Sequence, residues 1–199
     1  MLPSIVVLAS GSGSNLQSII QQVNRGHIKA EIAAVVSDNP DAMALVRAQA
    51  AGIDSVSIRR SGHASREAWE LALMEKVSKY QPALVVLAGF MQILSERFIA
   101  HFEKRIMNIH PSLLPAYRGL NTHQRVIDAG DSEHGATVHF VTPKLDDGPV
   151  IMQSRVRVSS GDNALELAGR VLEQEHIIYP EAIRQFIEGK ISFDNPRCH

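Results

Sequence analysis

The sequence predicts an α/β protein with a Rossmann-like, doubly wound sheet that is mostly parallel but mixed, with helices on both faces. Short β-branched runs alternate with helical patterns over about the first two thirds of the chain, which is the order of a doubly wound fold. These runs are apolar throughout, as is typical of parallel strands that are covered on both faces. Beyond His110, two longer runs follow each other through a turn, which predicts an antiparallel part.

Seven runs are predicted to be strands. The run over residues 84–88 is the most apolar, and the run over residues 55–58 is the weakest. The last two runs are joined by Leu145-Asp146-Asp147-Gly148-Pro149, a sequence rich in turn-forming residues. The predicted strands cover residues 5–9, 32–37, 55–58, 84–88, 105–110, 135–142 and 150–158.

Helices are predicted between the strands and near the C-terminus. Ser65 is placed to cap a helix whose apolar residues recur at helical spacing. Asn163 and Glu166 form a capping-box pattern that begins a C-terminal helix, and Pro180 predicts a kink or a break in that helix. Further helices are predicted over residues 15–24, 41–51 and 121–129, and a loose tail over residues 194–199.

Length and composition exclude several classes of protein. The chain has 199 residues, of which 45% are hydrophobic and 21% charged, and its formal net charge is -1. We expect a single domain over residues 1–199, because no linker, repeat or low-complexity segment interrupts the chain. The balanced charge gives no general attraction to nucleic acid or to an anionic membrane. No run approaches the roughly 20 apolar residues of a membrane span.

The expected location is the cytoplasm. The N-terminal Met1-Leu2-Pro3-Ser4 lacks the basic region of a signal peptide, and the apolar run after it is too short for one. With one cysteine, Cys198, the sequence predicts neither an internal disulfide nor a Cys-x-x-Cys metal site. We therefore expect a cytoplasmic protein that binds small molecules but neither nucleic acid nor membrane, as a monomer or a weak homodimer.

Three polar segments follow predicted strands. They are Ser10-Gly11-Ser12-Gly13-Ser14-Asn15, Gly89-Phe90-Met91 and Asn108-Ile109-His110-Pro111. Ligands of open parallel sheets bind beyond the carboxyl ends of the strands, where loops and helix N-termini lie side by side. We therefore expect the three segments to meet in space although they are distant in sequence.

The segment after the first strand is similar to a phosphate-binding turn. Its glycines allow backbone N–H groups to approach an anion, and the N-terminus of the next helix favours negative charge. Leu16 stands where a Gly-x-Gly-x-x-Gly pattern has its third glycine, and the lysine of a P-loop is absent, so one phosphate is the favoured ligand. The alternative is a tight strand-to-helix turn in which Ser14 or Asn15 caps the helix.

Asn108 and His110 are two residues apart on a predicted strand, so their side chains share one face. Among apolar neighbours, such groups are costly to bury unless they are hydrogen-bonded. An imidazole exchanges protons near neutral pH and an amide can donate to an oxyanion, so the pair suits acid–base chemistry. The alternative is a structural pair at the end of a strand.

Three acidic residues have more than one interpretation. Asp146 and Asp147 lie in a turn-rich segment, and either carboxylate would favour the charged imidazole if it folded toward His110. Periodicity does not decide between them. Glu175 shares a helical stripe with apolar residues, which fits a rim residue, an ion pair with an arginine, or an acceptor for ligand hydroxyl groups.

The remaining signals are weaker. His134 and His139 lie five residues apart on a predicted strand and face opposite ways, so they do not predict a metal-binding pair. Neither a His-Glu-x-x-His nor a Gly-x-Ser-x-Gly motif occurs, which disfavours a zinc hydrolase and a serine hydrolase. Trp69 is predicted to pack in the core.

Several segments together resemble the folate-dependent formyltransferases. The similarity runs in order over residues 5–180, and its most specific elements are Asn-x-His-Pro-Ser-Leu-Leu-Pro and Leu-Asp-x-Gly-Pro. The similar stretches are Gly11-Ser12-Gly13-Ser14-Asn15-Leu16, Ser65-Arg66-Glu67, Val85-Val86-Leu87-Ala88-Gly89-Phe90-Met91, Asn108-Ile109-His110-Pro111-Ser112-Leu113-Leu114-Pro115, Glu133-His134-Gly135, Val138-His139-Phe140-Val141-Thr142, Leu145-Asp146-Asp147-Gly148-Pro149-Val150 and Gln174-Glu175-His176.

The resemblance is closest to the members that act on N1-(5-phospho-D-ribosyl)glycinamide (GAR) in purine biosynthesis. It implies that the chain transfers the formyl group of its co-substrate, 10-formyltetrahydrofolate, to the primary amine of GAR, giving formyl-GAR and tetrahydrofolate without a metal. Two other functions stay open, a formyltetrahydrofolate hydrolase and a non-catalytic sugar-phosphate-binding protein.

The resemblance also implies roles for individual residues. The catalytic set would be Asn108, His110 and Asp146, which favours Asp146 over Asp147 by analogy. The residues that would bind GAR are Gly13, Ser14, Asn15 and Glu175. The residues that would surround the folate are Arg66, Met91, Gln92, Ile93, Leu94, Asn108, Thr142, Pro143, Lys144, Leu145 and Asp146.

The chain departs from the family pattern at three places. Members often have Pro-Gly-Leu-His after a conserved tyrosine, where this chain has Tyr117-Arg118-Gly119-Leu120-Asn121. Asp147 stands where glycine is frequent, and Leu172 where a polar residue can occur.

Overall fold

The computed structural model describes residues 1–196, and Cys198 lies outside the described residues. Strands and helices alternate as predicted along the described chain. Their order is β1 (Ser4–Leu8), α1 (Ser14–Asn24), β2 (Glu31–Ser37), α2 (Met43–Ala50), β3 (Asp54–Ser57), α3 (Arg66–Ser78), β4 (Leu84–Leu87), α4 (Glu96–His101), β5 (Ile106–His110), α5 (Thr122–Ala129), β6 (Glu133–Phe140), β7 (Val150–Arg157) and α6 (Ala164–Ile187).

The strands form a seven-stranded sheet in the order β3-β2-β1-β4-β5-β6-β7. β1 pairs in parallel with β2 and with β4, and β2 pairs in parallel with β3. β6 and β7 pair antiparallel. The prediction of a Rossmann-like, mostly parallel but mixed sheet is therefore confirmed, including the antiparallel part after His110.

The chain divides into two compact units, the first over residues 1–107 and the second from Asn108 onward. The expectation of a single domain remains a prediction. In the first unit, the β1 side chains from Ile5 to Leu8 are completely buried, as is expected for a central parallel strand. Trp69 is completely buried as well, and its indole N–H donates to the carbonyl of Ile58 at 2.7 Å, which confirms its predicted place in the core.

The second unit is built on the β6–β7 hairpin, against which α6 packs. Gly135, near the start of β6, is required there because a Cβ atom would lie 2.0 Å from the carbonyl oxygen of Ser154 on β7. The register shifts between Val138 and His139, which marks an irregularity in β6. Such irregularities redirect the side chains next to them.

Two of the predicted helix starts are confirmed. The hydroxyl of Ser65 accepts a hydrogen bond from the N–H of Ala68 at 3.1 Å and caps α3. Asn163 and Glu166 form the complete capping box of α6. Helix α4 was not predicted, because six residues are too few to show a helical period.

The prediction of a break at Pro180 is wrong. Helix α6 continues through this residue to Ile187, and Pro180 is buried on its packed face. A proline inside a helix removes one backbone hydrogen bond and costs about 3 kcal/mol. Packing of a long apolar face against β6 and β7 offsets that cost.

Among the residues that the structure describes, no helix has the length and apolarity needed to cross a membrane.

Candidate active site

His110 is the last residue of β5, and the structure places its buried ring between two oxygen acceptors. Its Nδ1 lies 3.5 Å from Oδ2 of Asp146, and its Nε2 donates to the carbonyl oxygen of Tyr117 at 2.9 Å. Contacts on both ring nitrogens therefore hold the imidazole of His110 in one orientation.

Asp146 lies in the β6–β7 connection, in a left-handed backbone conformation with φ 48°. This region of backbone space is uncommon for residues other than glycine, although aspartate tolerates it better than most. The carboxylate is held in place because its Oδ2 accepts a hydrogen bond from the N–H of Gly119 at 2.9 Å. The turn closes tightly, since a Cβ atom on Gly148 would lie 1.7 Å from the carbonyl oxygen of Phe140.

His139 joins this cluster, a contact that the sequence did not predict. Its Nδ1 donates to the carbonyl of Phe140 at 2.8 Å, so Nε2 carries the lone pair and accepts from the amide Nδ2 of Asn108 at 3.2 Å. The same Nε2 lies 3.9 Å from Oδ1 of Asp146. Burial lowers the pKa of His139, which keeps the ring neutral and able to accept. The contact uses one of the two hydrogens of the Asn108 amide and fixes the orientation of the group.

Asp147 points away from this cluster. Its carboxylate forms an ion pair with the guanidinium of Arg118, at a place where both side chains are partly exposed. Two of the three places at which the chain departs from the family pattern are therefore joined by this ion pair. The carboxylate that approaches His110 is that of Asp146.

The glycine turn in the first unit begins α1 without a side-chain cap. Gly13 occupies the N-cap position with φ 69°, so the alternative that Ser14 or Asn15 caps the helix is wrong. A Cβ atom on Gly13 would lie 2.7 Å from Cα of Ala44, and the position also needs a left-handed backbone, so glycine is required there.

The segment after β4 contacts the residue that precedes the glycine turn. The N–H of Ser10 donates to the carbonyl of Gly89 at 3.0 Å, and the N–H of Met91 donates to the hydroxyl of Ser10 at 2.9 Å. Further along the same segment, the guanidinium of Arg66 donates to the carbonyl of Ile93 at 2.5 Å. Two of the three polar segments thus meet as expected, and the third, which carries His110, belongs to the second unit.

Glu175 is buried on the apolar face of α6, as the helical stripe predicted. The remaining residues expected around the folate lie in the β6–β7 connection, where Pro143, Lys144 and Leu145 are exposed. The hydroxyl of Thr142 donates to the carbonyl of Lys144 at 3.4 Å. The binding roles of these residues remain predictions.

A second histidine pair lies in the same unit. Nε2 of His134 on β6 is 3.0 Å from Nδ1 of His123 on α5, and burial lowers the pKa of His134 to about 4. Within the described residues, no group of three or more His, Cys, Asp or Glu side chains is arranged to hold a metal ion.

Comparison with known proteins shows which family the chain belongs to. Residues 4–183 match the formyl transferase family over most of the chain. The chain belongs to the formyl transferase family. This formyl transferase is 49% identical over 188 residues to the phosphoribosylglycinamide formyltransferase of Escherichia coli (strain K12), which covers 94% of this chain and 89% of the relative. It is 44% identical to the enzyme of that name from Haemophilus influenzae, over 96% of this chain and 90% of the relative.

A solved structure is similar as well. The formyl transferase chain superposes on glycinamide ribonucleotide transformylase 1 from Symbiobacterium toebii with a TM-score of 0.95 at 43% identity. The match covers 98% of this chain and 92% of that chain. The likeness therefore extends over the fold as a whole.

Proposed function

We propose that this formyl transferase moves the formyl group of 10-formyltetrahydrofolate to the amine of GAR, a step of purine biosynthesis. The observation that carries the proposal is the cluster of the buried His110 with Asn108 and Asp146. These residues provide the cation, the amide donor and the carboxylate that formyl transfer to an amine needs. Relatives that match nearly the whole chain and are named phosphoribosylglycinamide formyltransferase support GAR as the acceptor.

The proposed reaction begins when the neutral amine of GAR attacks the formyl carbon. A C–N bond forms, the carbonyl electrons move to oxygen, and a tetrahedral intermediate with an oxyanion results. The positive charge of His110 and an N–H of the Asn108 amide stabilise that oxyanion, and one good donor contributes roughly 3 kcal/mol. Asp146 stabilises the imidazolium and accepts a proton from the amine, directly or through water. The bond from carbon to folate N10 then breaks, N10 takes up the proton that Asp146 accepted from the amine, directly or through water, and tetrahydrofolate leaves.

The residues proposed to bind the two substrates form separate sets. Gly13, Ser14 and Asn15 bind the phosphate of GAR at the N-terminus of α1, where backbone N–H groups favour an anion. Glu175 accepts hydrogen bonds from the ribose hydroxyl groups. The folate is held by Arg66 with Met91, Gln92, Ile93 and Leu94, and by Asn108 with Thr142, Pro143, Lys144, Leu145 and Asp146.

The two other functions left open by the sequence are not favoured. The near full-length relatives carry the name of the transferase, and a protein that only binds a sugar phosphate has no need of a carboxylate beside an imidazole. A hydrolase would use water in place of the amine. The three functions therefore differ in what accepts the formyl group: the amine of GAR, water, or nothing.

The test is to incubate the protein with 10-formyltetrahydrofolate, with and without GAR, and to measure the release of tetrahydrofolate. The proposal expects release that depends on GAR, together with formyl-GAR. Release without GAR would show a hydrolase, and no release would leave only a binding protein.

A further inference from the structure

The geometry points to Asp38 as a positioning residue that holds the 91–94 segment in the shape in which it binds the folate. This inference rests on the proposed function, because that function gives the segment its ligand. Asp38 follows β2 and was not among the residues expected to form the site. Both of its carboxylate oxygens are used by side chains from elsewhere in the first unit.

Oδ1 of Asp38 acts on the 91–94 segment through Ser10. The hydroxyl of Ser10 donates to Oδ1 of Asp38 at 2.6 Å, and the same hydroxyl oxygen accepts from the N–H of Met91 at 2.9 Å. A serine hydroxyl has a single hydrogen. Because Asp38 takes that hydrogen, the lone pairs of Ser10 face Met91. Without the carboxylate, the hydroxyl is free to rotate away from this position.

The second oxygen acts on the segment directly. Oδ2 of Asp38 accepts from the amide Nε2 of Gln92 at 2.7 Å. Asp38 thus holds two consecutive residues, the backbone of Met91 through Ser10 and the side chain of Gln92 without an intermediary. At the far end, Arg66 donates to the carbonyl of Ile93 at 2.5 Å.

This arrangement keeps two apolar side chains available to a ligand. Met91 is 65% exposed and Ile93 is 61% exposed, although Leu94 after them is buried. Exposed apolar side chains on a fixed backbone suit the flat ring system of a folate, since binding does not then have to order the segment. The hydrogen bonds of Asp38 order the 91–94 segment before the ligand binds.

The glycine turn depends less on Asp38. The N–H of Ala44 donates to the carbonyl of Gly11 at 3.1 Å, and Nε of Arg47 donates to the carbonyl of Ser12 at 2.9 Å. These contacts from α2 hold the turn without the carboxylate. Loss of Asp38 is therefore expected to affect the folate much more than GAR.

The experiment compares Asp38→Ala with Asp38→Asn and with the control Asp41→Ala, which removes an exposed carboxylate from the same β2–α2 connection. Hydrogen exchange at the amide of Met91, calorimetric binding of tetrahydrofolate, and the steady-state constants for both substrates are measured. Asp38→Ala is expected to speed exchange at Met91 and to weaken folate binding about tenfold, the size of one or two lost hydrogen bonds. The kcat and the KM for GAR should stay within about twofold.

Asp38→Asn is expected to restore folate binding to within about threefold of the wild type. Its amide oxygen can accept from Ser10, and Gln92 can turn its own amide so that its oxygen accepts from the new NH2 group. Ser10→Ala provides a second variant, which should speed exchange at Met91 while Asp38 is intact. Asp41→Ala should change none of these quantities, and thermal unfolding of each variant reports on the fold.

The outcomes separate this inference from the proposed function. Unchanged exchange at Met91 in both Asp38→Ala and Ser10→Ala overturns it, as does folate binding that is the same in Asp38→Ala and the wild type. A wild-type protein that binds tetrahydrofolate but does not formylate GAR overturns the proposed function alone. Weaker folate binding in Asp38→Ala then still supports the role of Asp38.

Discussion

At the scale of single residues, the second unit holds a histidine whose two ring nitrogens both face oxygen acceptors. The carboxylate of Asp146 faces Nδ1 of His110 and the carbonyl of Tyr117 accepts from Nε2. Asn108 is oriented by the neutral ring of His139. The imidazole of His110 and the amide of Asn108 are therefore held in place before any substrate binds, and groups fixed in advance stabilise developing charge more strongly than mobile ones.

His110→Ala is expected to lower kcat by roughly 10²–10⁴, because it removes the group proposed to stabilise the intermediate and move a proton. The affinity for GAR should change little. Steady-state kinetics and calorimetric titration with GAR check the two parts. Full activity in this variant would exclude His110 from catalysis.

Asp146→Asn is expected to lower kcat and to change the pH–rate profile, because the amide removes the negative charge beside the imidazole. Asp147→Asn is the matched control for the shape of the profile, since its carboxylate is paired with Arg118 and not with His110. A few-fold lower kcat in this control would leave that shape unchanged. The measurement is kcat across the pH range for the three proteins. A profile that is the same in Asp146→Asn and in the wild type would contradict the pairing.

At the scale of elements, segments that are well separated in sequence are tied to each other at defined points. Gly119 donates to Asp146, and Arg118 pairs with Asp147, so the segment after β5 is joined twice to the β6–β7 connection. Helix α6 starts with a complete capping box and runs on through Pro180. The two contacts fix the segment after β5, and the capping box fixes the start of α6. The sequences of these loops and helix ends alone permit several conformations.

The Arg118–Asp147 pair is expected to make a small, salt-sensitive contribution to kcat. Its side chains are 42% and 28% exposed, and pairs of this kind contribute about 1 kcal/mol or less. Arg118→Ala and Asp147→Ala should each lower kcat a few-fold at low salt, and the double variant no further. At high salt the three variants should approach the wild type. Additive losses in the double variant would show that the pair does not act as a unit.

Asn163→Ala is expected to reduce the free energy of unfolding by about 1 kcal/mol, because it removes the cap of α6. Leu165→Ala in the same first turn is the control, since this side chain is exposed and should cost less than about 0.5 kcal/mol. Denaturant unfolding measures both. Equal losses would mean that the capping box does not stabilise the helix.

At the scale of the whole molecule, stability is expected to depend on the neutral form of buried histidines. His134 is 1% exposed, and burial followed by the neighbouring His123 lowers its pKa to about 4 from the usual 6.5. The pKa of His123 is lowered by burial as well. Below pH 6.5 the unfolded chain therefore binds protons that the folded protein does not. The free energy of unfolding is highest above that pH and decreases as the pH falls toward 4.

His134→Gln should weaken this acid dependence, because an amide in that place does not take up a proton. The free energy of unfolding, measured at steps between pH 7 and roughly pH 4, should fall less steeply in the variant than in the wild type. His27→Gln changes an exposed histidine and should keep the wild-type slope. Equal slopes in all three proteins would contradict the prediction.

Much of the fold could be predicted because it depends on patterns among residues that are close together in the sequence. A run that is apolar throughout, such as residues 84–88, is typical of a strand covered on both faces. Ser65 and Asn163 each begin a helix through hydrogen bonds within its first turn. The errors fall where tertiary packing overrides local preference. Pro180 is held inside a helix by the sheet beneath it, and α4 is too short to show a period.

The sequence by itself determined the alternation of strands and helices, the shared face of Asn108 and His110, and the positions at which ligands are expected, because period and spacing act over a few residues. Only the tertiary structure decided that Asp146 rather than Asp147 lies beside His110, that His139 orients Asn108, and that Asp38 holds Met91 and Gln92. The physical reason is that hydrogen bonds and ion pairs depend on distances of a few ångströms between side chains, and no local pattern fixes those distances for residues that are far apart in the chain.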